Sequence, residues 1–595
     1  MGLEHNMGAD ILKRSIYPLF LLAIAYLLFS SHDTKTIIAG IAIFLLGMVF
    51  MEDGFKLFSG GMLEKVLEKS TSTLPKAIVT GFFTTTMLQS SSLISIIIIS
   101  FLSAEMISLT GAVGIIFGSN IGSTTTAWIV SSLGVKIDIA YYAMPMIIFG
   151  VIFRFNQNNV YKGFGNILVG LGFVFLGIAY MKDGFDALKN GLDIAQYAMD
   201  GYLGVLVYIL IGAVATVVIQ SSGATMALII TAVATGQIEY VNALSLAIGA
   251  NIGTTVTAVI GSLSSNANGK RLAVAHFIFN TVTGFIAIVF LYQLADLVDF
   301  LSSSIGIGDK DYAMKLALFH TVFNIIGVLT VSPFTYKLVI FLEGLFQQKN
   351  KNISRAKYLD SAVIEVPESA LAALNKEVLH LYDNATEVLA HAISLHRHSF
   401  LGKENVSEVV KQSSSKIDID VDKFYETKIK ELYGDIVNYA TLSQDKMDEF
   451  QIRMVYYYKV ASKDIVEAIK DVEELQKNIN FYQKSKNDVI KNEYNILREK
   501  IANTLNKIHE IRNSDDDDME ILLKIKLLKE DVKDLDIIAN GRIDTIIRNN
   551  SITSKMATSL INDSSFAYDI SKRLIEVAVT LFIKDKEIKT LAGEV

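Results

Sequence analysis

The chain of 595 residues contains no cysteine. Disulfide staples, thiolate metal sites and cysteine nucleophiles are therefore excluded. Charged residues are sparse before about residue 345, and proline is absent after Pro367. The net charge is only -7, and no long basic stretch marks a nucleic-acid surface. No Walker loop, metal-ligand cluster or nucleophile–base–acid set stands out, so an enzyme is not expected.

What is present falls into two unlike halves. The mean hydropathy of +0.40 averages an apolar first half, to about residue 345, with a second half rich in Lys, Glu and Asp. The first reads as integral membrane and the second as soluble. Lys13-Arg14 precede an apolar run from Ser15 to Phe29, which reads as a first membrane helix with a cytoplasmic N-terminus. Apolar segments follow at 36–52, 74–103, 106–131, 139–155, 164–181, 202–234, 240–261, 271–294 and 312–342. A spanning helix needs about 20 residues. The runs 74–103 and 202–234 exceed that and carry polar clusters at mid-length, so they read as broken helices or re-entrant hairpins.

Those clusters are duplicated. Gln89-Ser90-Ser91-Ser92 and Gly118-Ser119-Asn120-Ile121-Gly122 recur 131 residues later as Gln220-Ser221-Ser222-Gly223 and Gly249-Ala250-Asn251-Ile252-Gly253. Gly81, Thr85, Thr124 and Thr126 recur as Gly212, Thr216, Thr255 and Thr257. Upstream, Gly47 to Phe55 resembles Gly177 to Phe185 at an offset of 130. Duplicated halves with interrupted apolar segments are a transporter pattern. The expected repeats are about 36–155 and 164–294, with final helices to 342.

Polar side chains in apolar surroundings are costly unless used. Hydroxyl and carbonyl oxygens suit a hard cation such as sodium, whereas amide and hydroxyl hydrogens suit an oxyanion. Helix N-termini at the breaks would add backbone N–H groups facing an anion. Packing is the competing role for any single Ser or Thr, and helix bridging for a lone Gln. The recurring His276-x-x-Phe-Asn280 and His320-x-x-Phe-Asn324 place His and Asn on one helical face, lining a path or pinning the core. Asp53 and Asp183 read as helix-end residues before glycine.

The paired Gln-Ser-Ser and Asn-Ile-Gly segments resemble the sodium/phosphate cotransporter family, type II and its bacterial relatives, over about residues 35–340. The resemblance implies sodium-driven symport of inorganic phosphate into the cell by alternating access, across the cytoplasmic membrane; transport of another small oxyanion, or a membrane phosphate sensor or scaffold without net transport, is the alternative reading. It implies two inverted repeats meeting at the substrate and sodium site. Carried onto this chain, that site is Gln89, Ser90, Ser91, Ser92 and Asn120 with Gln220, Ser221, Ser222, Thr225 and Asn251. Gly223 stands where the family form has a serine. Sodium and phosphate are cargo, and neither a cofactor nor another metal is implied.

Residues 1–345 are thus expected to form an all-α, polytopic transport domain, 346–364 a linker, and 365–595 an antiparallel helical bundle on the cytoplasmic side. Helical periodicity appears at 415–435, 440–478, 480–510, 518–549 and 555–584. Asp515 to Asp518 read as a helix cap or solvated loop. By position, the bundle resembles the PhoU-like domains of bacterial family members. That resemblance implies regulation, a homodimer contact or a phosphate-signalling partner. The expected partners are phosphate, sodium and membrane lipid, and no nucleic acid.

Overall fold

In the computed structural model the chain divides into two compact units, Met1–Gln347 and Gln348–Val595. The structure describes residues 32–59, 66–67, 70–134, 140–189, 201–263, 265–346, 356–360, 363–364, 366–402, 405–413, 417 and 420–583. The run expected at 15–31, with Lys13 and Arg14, lies outside them, as does most of 346–364. All regular structure among the described residues is helical.

The first unit begins with α1 (His32–Ser59), α2 (Leu74–Leu88), α3 (Ser91–Ser103), α4 (Leu109–Gly122), α5 (Thr124–Ile129) and α6 (Ala140–Arg154). It continues with α7 (Asn159–Lys189), α8 (Gly201–Ile219), α9 (Ser222–Ala234) and α10 (Tyr240–Ser262). It ends with α11 (Ala267–Val289), α12 (Leu291–Ser304), α13 (Tyr312–Val331) and α14 (Thr335–Leu345). A 3-10 turn containing Pro333 separates α13 from α14, where the ring removes a backbone donor. Seven helical stretches among the described residues are long and apolar enough to cross a membrane. At 13 residues each, α3 and α9 are too short to do so alone.

Both long apolar runs are broken at their Gln-Ser pair, between α2 and α3 and between α8 and α9. After the first break the chain doubles back. Gly111 and Gly114 at the start of α4 lie against Thr71, just before α2, and Leu74 at its start, so α2 and α4 run parallel in direct contact and α3 is the return segment that joins them. The second half repeats this, with Gly249 and Gly253 of α10 seated against Ile209 and Ala213 of α8. Glycine is needed here because a Cβ on Gly118 would lie 1.9 Å from the Ile78 carbonyl oxygen, and one on Gly249 would lie 2.0 Å from that of Ile209.

The helices α1 and α7 pack antiparallel. Gly40 meets Gly177, Gly47 meets Gly170 and Gly54 meets Gly163. The 130-residue offset carries Gly40 onto Gly170 and Gly47 onto Gly177, so the first two contacts are each other's image. Asp53 and Asp183 lie within α1 and α7 and are exposed, so the helix-end reading of these two residues is corrected. The apolar sequence continues the helices past them.

The second unit contains α15 (Pro367–Ala392), α16 (Lys430–Leu442), α17 (Glu449–Tyr482), α18 (Asp488–Arg512), α19 (Asp518–Val532) and α20 (Ser554–Phe582), with short helical turns between. Apolar faces spaced at three and four residues pack α20 on α17 and α18. Asp517 caps α19, accepting from the backbone N–H groups of Met519 and Glu520. The run expected at 518–549 is interrupted after Val532, and Gly541 adopts φ 69° before a further helical turn. A 3-10 turn at Lys533–Leu535 ends the helix, Asp536 accepts from the N–H groups of Ile538 and Ala539, and left-handed Gly541 leads into the next helical turn. Arg498 is buried, with Nε donating to the Ile393 carbonyl at 2.8 Å and Nη2 to Ser413 Oγ at 3.1 Å.

Two predictions follow from this packing. Gly47→Val would drive its Cβ into the Gly170 carbonyl at 2.6 Å. Backbone cannot yield cheaply there, and overpacking costs about 1–3 kcal/mol or more. The variant is expected to show a lower unfolding temperature in detergent. In the second unit, burial raises the Asp563 carboxyl to about 6, although Tyr494 and Asn478 donate to it. The folded chain therefore holds a proton there between about pH 4 and 6 that the unfolded chain releases. Stability from this group is full at lower pH and falls as pH rises through that window. In the full-length protein, rate-corrected hydrogen exchange of α17 and α20 should show more protection at pH 5 than at pH 7.5, and Asp563→Asn should flatten the difference.

Candidate functional site

The two breaks share one backbone solution. Gln89 (φ 53°) and Gln220 (φ 57°) end their helices in the left-handed conformation. The next residues, Ser90 and Ser221, are extended and cap the following helices, accepting from Leu93 N–H and Ala224 N–H at 3.2 Å each. A serine cap satisfies one of the orphan N–H groups of a helix start. Left-handed non-glycine residues cost about 1 kcal/mol or more, so the repeated glutamine is retained against a conformational preference for glycine.

The breaks meet at a cavity of about 230 Å³. Gln89, Ser90, Ser91 and Ser92 line it from one side, and Gln220, Ser221, Ser222 and Gly223 from the other. Ser123 and Thr126 contribute from the α4–α5 junction. Glu52 of α1 completes the polar wall, with Leu45, Met48 and Val49 as its apolar part. Its carboxylate is the one formal charge among these lining residues, and Lys56 pairs with it at 2.8 Å, one turn away. Gly223 stands where the first half has Ser92, and a Cβ added there would sit 3.3 Å from the Thr126 side chain, a tight contact that the glycine avoids.

The two glutamines differ. Gln89 is buried. Its Nε2 donates to Thr125 Oγ1 at 2.8 Å, and its Oε1 accepts from Thr126 Oγ1 at 2.8 Å. Gln220 is exposed to the cavity, and no side-chain hydrogen bond holds it among the described residues.

The other expected site residues lie off this cavity. Thr225 is buried and accepts from Thr216 Oγ1 at 3.1 Å. Asn120 donates to the Ile116 carbonyl of its own helix at 2.9 Å. Asn251 joins a buried amide cluster, donating to Asn280 Oδ1 at 3.2 Å and to Asn324 Oδ1 at 3.4 Å. Asn280 returns a bond to the Asn251 carbonyl at 3.1 Å, and Asn324 donates to the His320 carbonyl at 2.8 Å. His276 and His320 are buried beside this cluster on α11 and α13. The motif asparagines therefore tie α10, α11 and α13 together in the second half but have no such role in the first.

Sequence reasoning missed Glu52, Ser123 and Thr125. Glu52 lies in the duplicated segment, but its counterpart is Lys182, so the repeat gave it no emphasis. Thr125 is likewise replaced by Val256 in the second half.

The amide cluster yields a stability prediction. Asn251→Leu strips partners from two buried amides, which costs about 1–3 kcal/mol. Asn120→Leu removes one bond to a helical carbonyl and is expected to cost less. Thermal unfolding of both variants in detergent checks the order.

A sequence profile described as Na+/Pi-cotransporter matches residues 43–183 and 203–317, which carry both Gln-Ser turns. YjbB of Salmonella typhimurium, named as a candidate inorganic phosphate export protein, is 25% identical over 356 residues, covering 59% of this chain and 63% of that protein. The chain thus spans less than two thirds of that relative's length. YqeW of Bacillus subtilis is 30% identical over 308 residues, covering 51% of this chain and 95% of that protein. Human sodium-dependent phosphate transport protein 2B is 37% identical over 86 residues, 14% of this chain and 12% of that protein. No solved structure matches. With its seven apolar helices and these bacterial relatives, the chain is a multi-pass membrane protein. It belongs to the Na+/Pi-cotransporter family.

Proposed function

We propose that this protein moves inorganic phosphate across the membrane, coupled to sodium, by alternating access at the cavity where the two Gln-Ser turns meet. One observation carries the proposal. Repeated halves of the sequence bring two broken helices to a single 230 Å³ space lined by amides, hydroxyls and the capped starts of α3 and α9. Such helix starts favour an anion, and the serine hydroxyls can serve either anion or cation. The reciprocal packing of α1 and α7 supports an inverted relation between the halves.

The charge balance of the wall supports the coupling. Among the described residues that line the cavity none is lysine or arginine, and the one formal charge, Glu52, is paired with Lys56. An oxyanion entering alone would meet no unpaired countercharge in that wall. Sodium arriving with it supplies the missing positive charge, and Glu52 offers an oxygen ligand of the kind a hard cation prefers. Phosphate is the cargo favoured by the family, and the names of YjbB and the human 2B protein point the same way. The gradients set the direction. An inward sodium gradient drives uptake, and a reversed balance drives the export for which YjbB is named. The second unit is read as a regulatory bundle of the PhoU type, on its position after the transport unit and its helical build.

Radiolabelled phosphate flux into proteoliposomes tests the proposal, with sodium or potassium gradients of either orientation. The wild type should accumulate phosphate only with inward sodium. Gln89→Ala/Gln220→Ala should lose at least about tenfold of that rate while eluting as folded protein. Uptake independent of sodium would reject the coupling. Phosphate binding without flux would replace transport by sensing.

A further inference from the structure

The two halves hold their glutamines differently, and the difference is written in the sequence. In the first half, Thr125 and Thr126 fix both ends of the Gln89 amide. The 131-residue offset places Val256 and Thr257 at the same positions of the second half. Val256 offers no hydroxyl, and Thr257 donates to the Thr254 carbonyl of its own helix at 2.6 Å. Gln220 keeps the left-handed backbone of its counterpart but loses both anchors.

The freed side chain occupies a particular place. A second cavity of about 240 Å³ is lined by Ser92, Ser95, Thr257 and Gly261, among others. Gln220 and Ser92 line this cavity and also the first. The unanchored amide therefore stands in the wall between two spaces, each bearing hydroxyls. The anchored amide of Gln89 borders only the first of them.

We propose that Gln220 is the moving gate between the two cavities and Gln89 the fixed half of the binding site, with Val256 as the positioning residue that leaves Gln220 free. This rests on the transport reading above. A long side chain with no competing hydrogen bond can follow an oxyanion from one cavity to the other, exchanging one set of hydroxyl partners for the next. A side chain held as Gln89 is would have to break three hydrogen bonds in each cycle, those with Thr125, Thr126 and the Thr86 carbonyl. Turnover thus depends on the valine, and affinity on the two threonines of the first half.

The experiment compares wild type, Val256→Thr, Val256→Ala and Thr125→Val. It measures phosphate binding by titration calorimetry in sodium and phosphate flux in proteoliposomes. A threonine hydroxyl at 256 can bond a carbonyl of its own helix, as those of Thr255 and Thr257 do, so the substitution is tolerated. Val256→Thr should bind phosphate within about threefold of wild type and turn over at least about tenfold more slowly. Val256→Ala, which offers no hydroxyl, should keep wild-type turnover. Thr125→Val should raise KM severalfold with a smaller change in kcat, and it decides the matter if Val256→Thr does not fold. A Val256→Thr protein as fast as wild type, or Val256→Ala as slow as Val256→Thr, overturns the gate while leaving phosphate transport standing. A folded wild type that moves no phosphate overturns the transport reading and the gate with it.

Discussion

Every feature of the first unit answers one constraint. A helix broken inside an apolar layer exposes carbonyls at one end and N–H groups at the other, and lipid satisfies neither. The chain makes this break twice, at Gln89-Ser90 and Gln220-Ser221. Each break is survivable because a serine caps the new helix, a left-handed glutamine turns the chain in two residues, and protein surrounds the gap. The parallel packing of α2 on α4, and of α8 on α10, supplies part of that shelter. That packing depends on glycine at the contact points, because backbone meets backbone there. The glycine pattern and the Gln-Ser pattern are thus one design. The first lets helices approach closely enough to enclose what the second leaves exposed.

The same constraint explains why the site sits where the halves meet. A single broken helix could be covered by its neighbours and left dry. Two breaks brought to one cavity cover each other's outer sides while presenting their polar ends to a shared space. Helix α1 closes the remaining side with apolar residues and one carboxylate. The wall is therefore built from dipoles and hydroxyls, and its one carboxylate is paired with Lys56.

Much of this was legible in the sequence, for definite reasons. Polar clusters at the middle of runs too long for one span marked the breaks, and their repetition marked two halves, whose meeting at one site the family resemblance implied. The α1–α7 glycines carried the same repeat at a slightly different offset. Other points were not legible. Helical periodicity states that Asn251 shares a face with its neighbours four residues away, but not that the face meets Asn280 and Asn324 instead of the cavity. Asn120 matches Asn251 in motif yet its side chain donates to the Ile116 carbonyl of its own helix. Glu52 was passed over because repeat logic rewards sameness, and its counterpart is a lysine. In the second unit, continuous apolar spacing through 518–549 concealed an interruption that begins with a 3-10 turn after Val532 and passes through left-handed Gly541.

The departures from symmetry carry the functional content. A perfectly duplicated site would hold its ligand equally from both halves, and both amides would resist movement alike. Here one amide is fixed by two threonines and the other is released by a valine. A fixed lysine or arginine would strengthen anion binding but would also have to be paid off at release. A wall of hydroxyls and amides binds through many weak contacts that can be exchanged one at a time. Charge compensation then has to arrive with the cargo, and it leaves with the cargo. Coupling to a cation is, on this argument, the consequence of building an anion site without a cation in its wall.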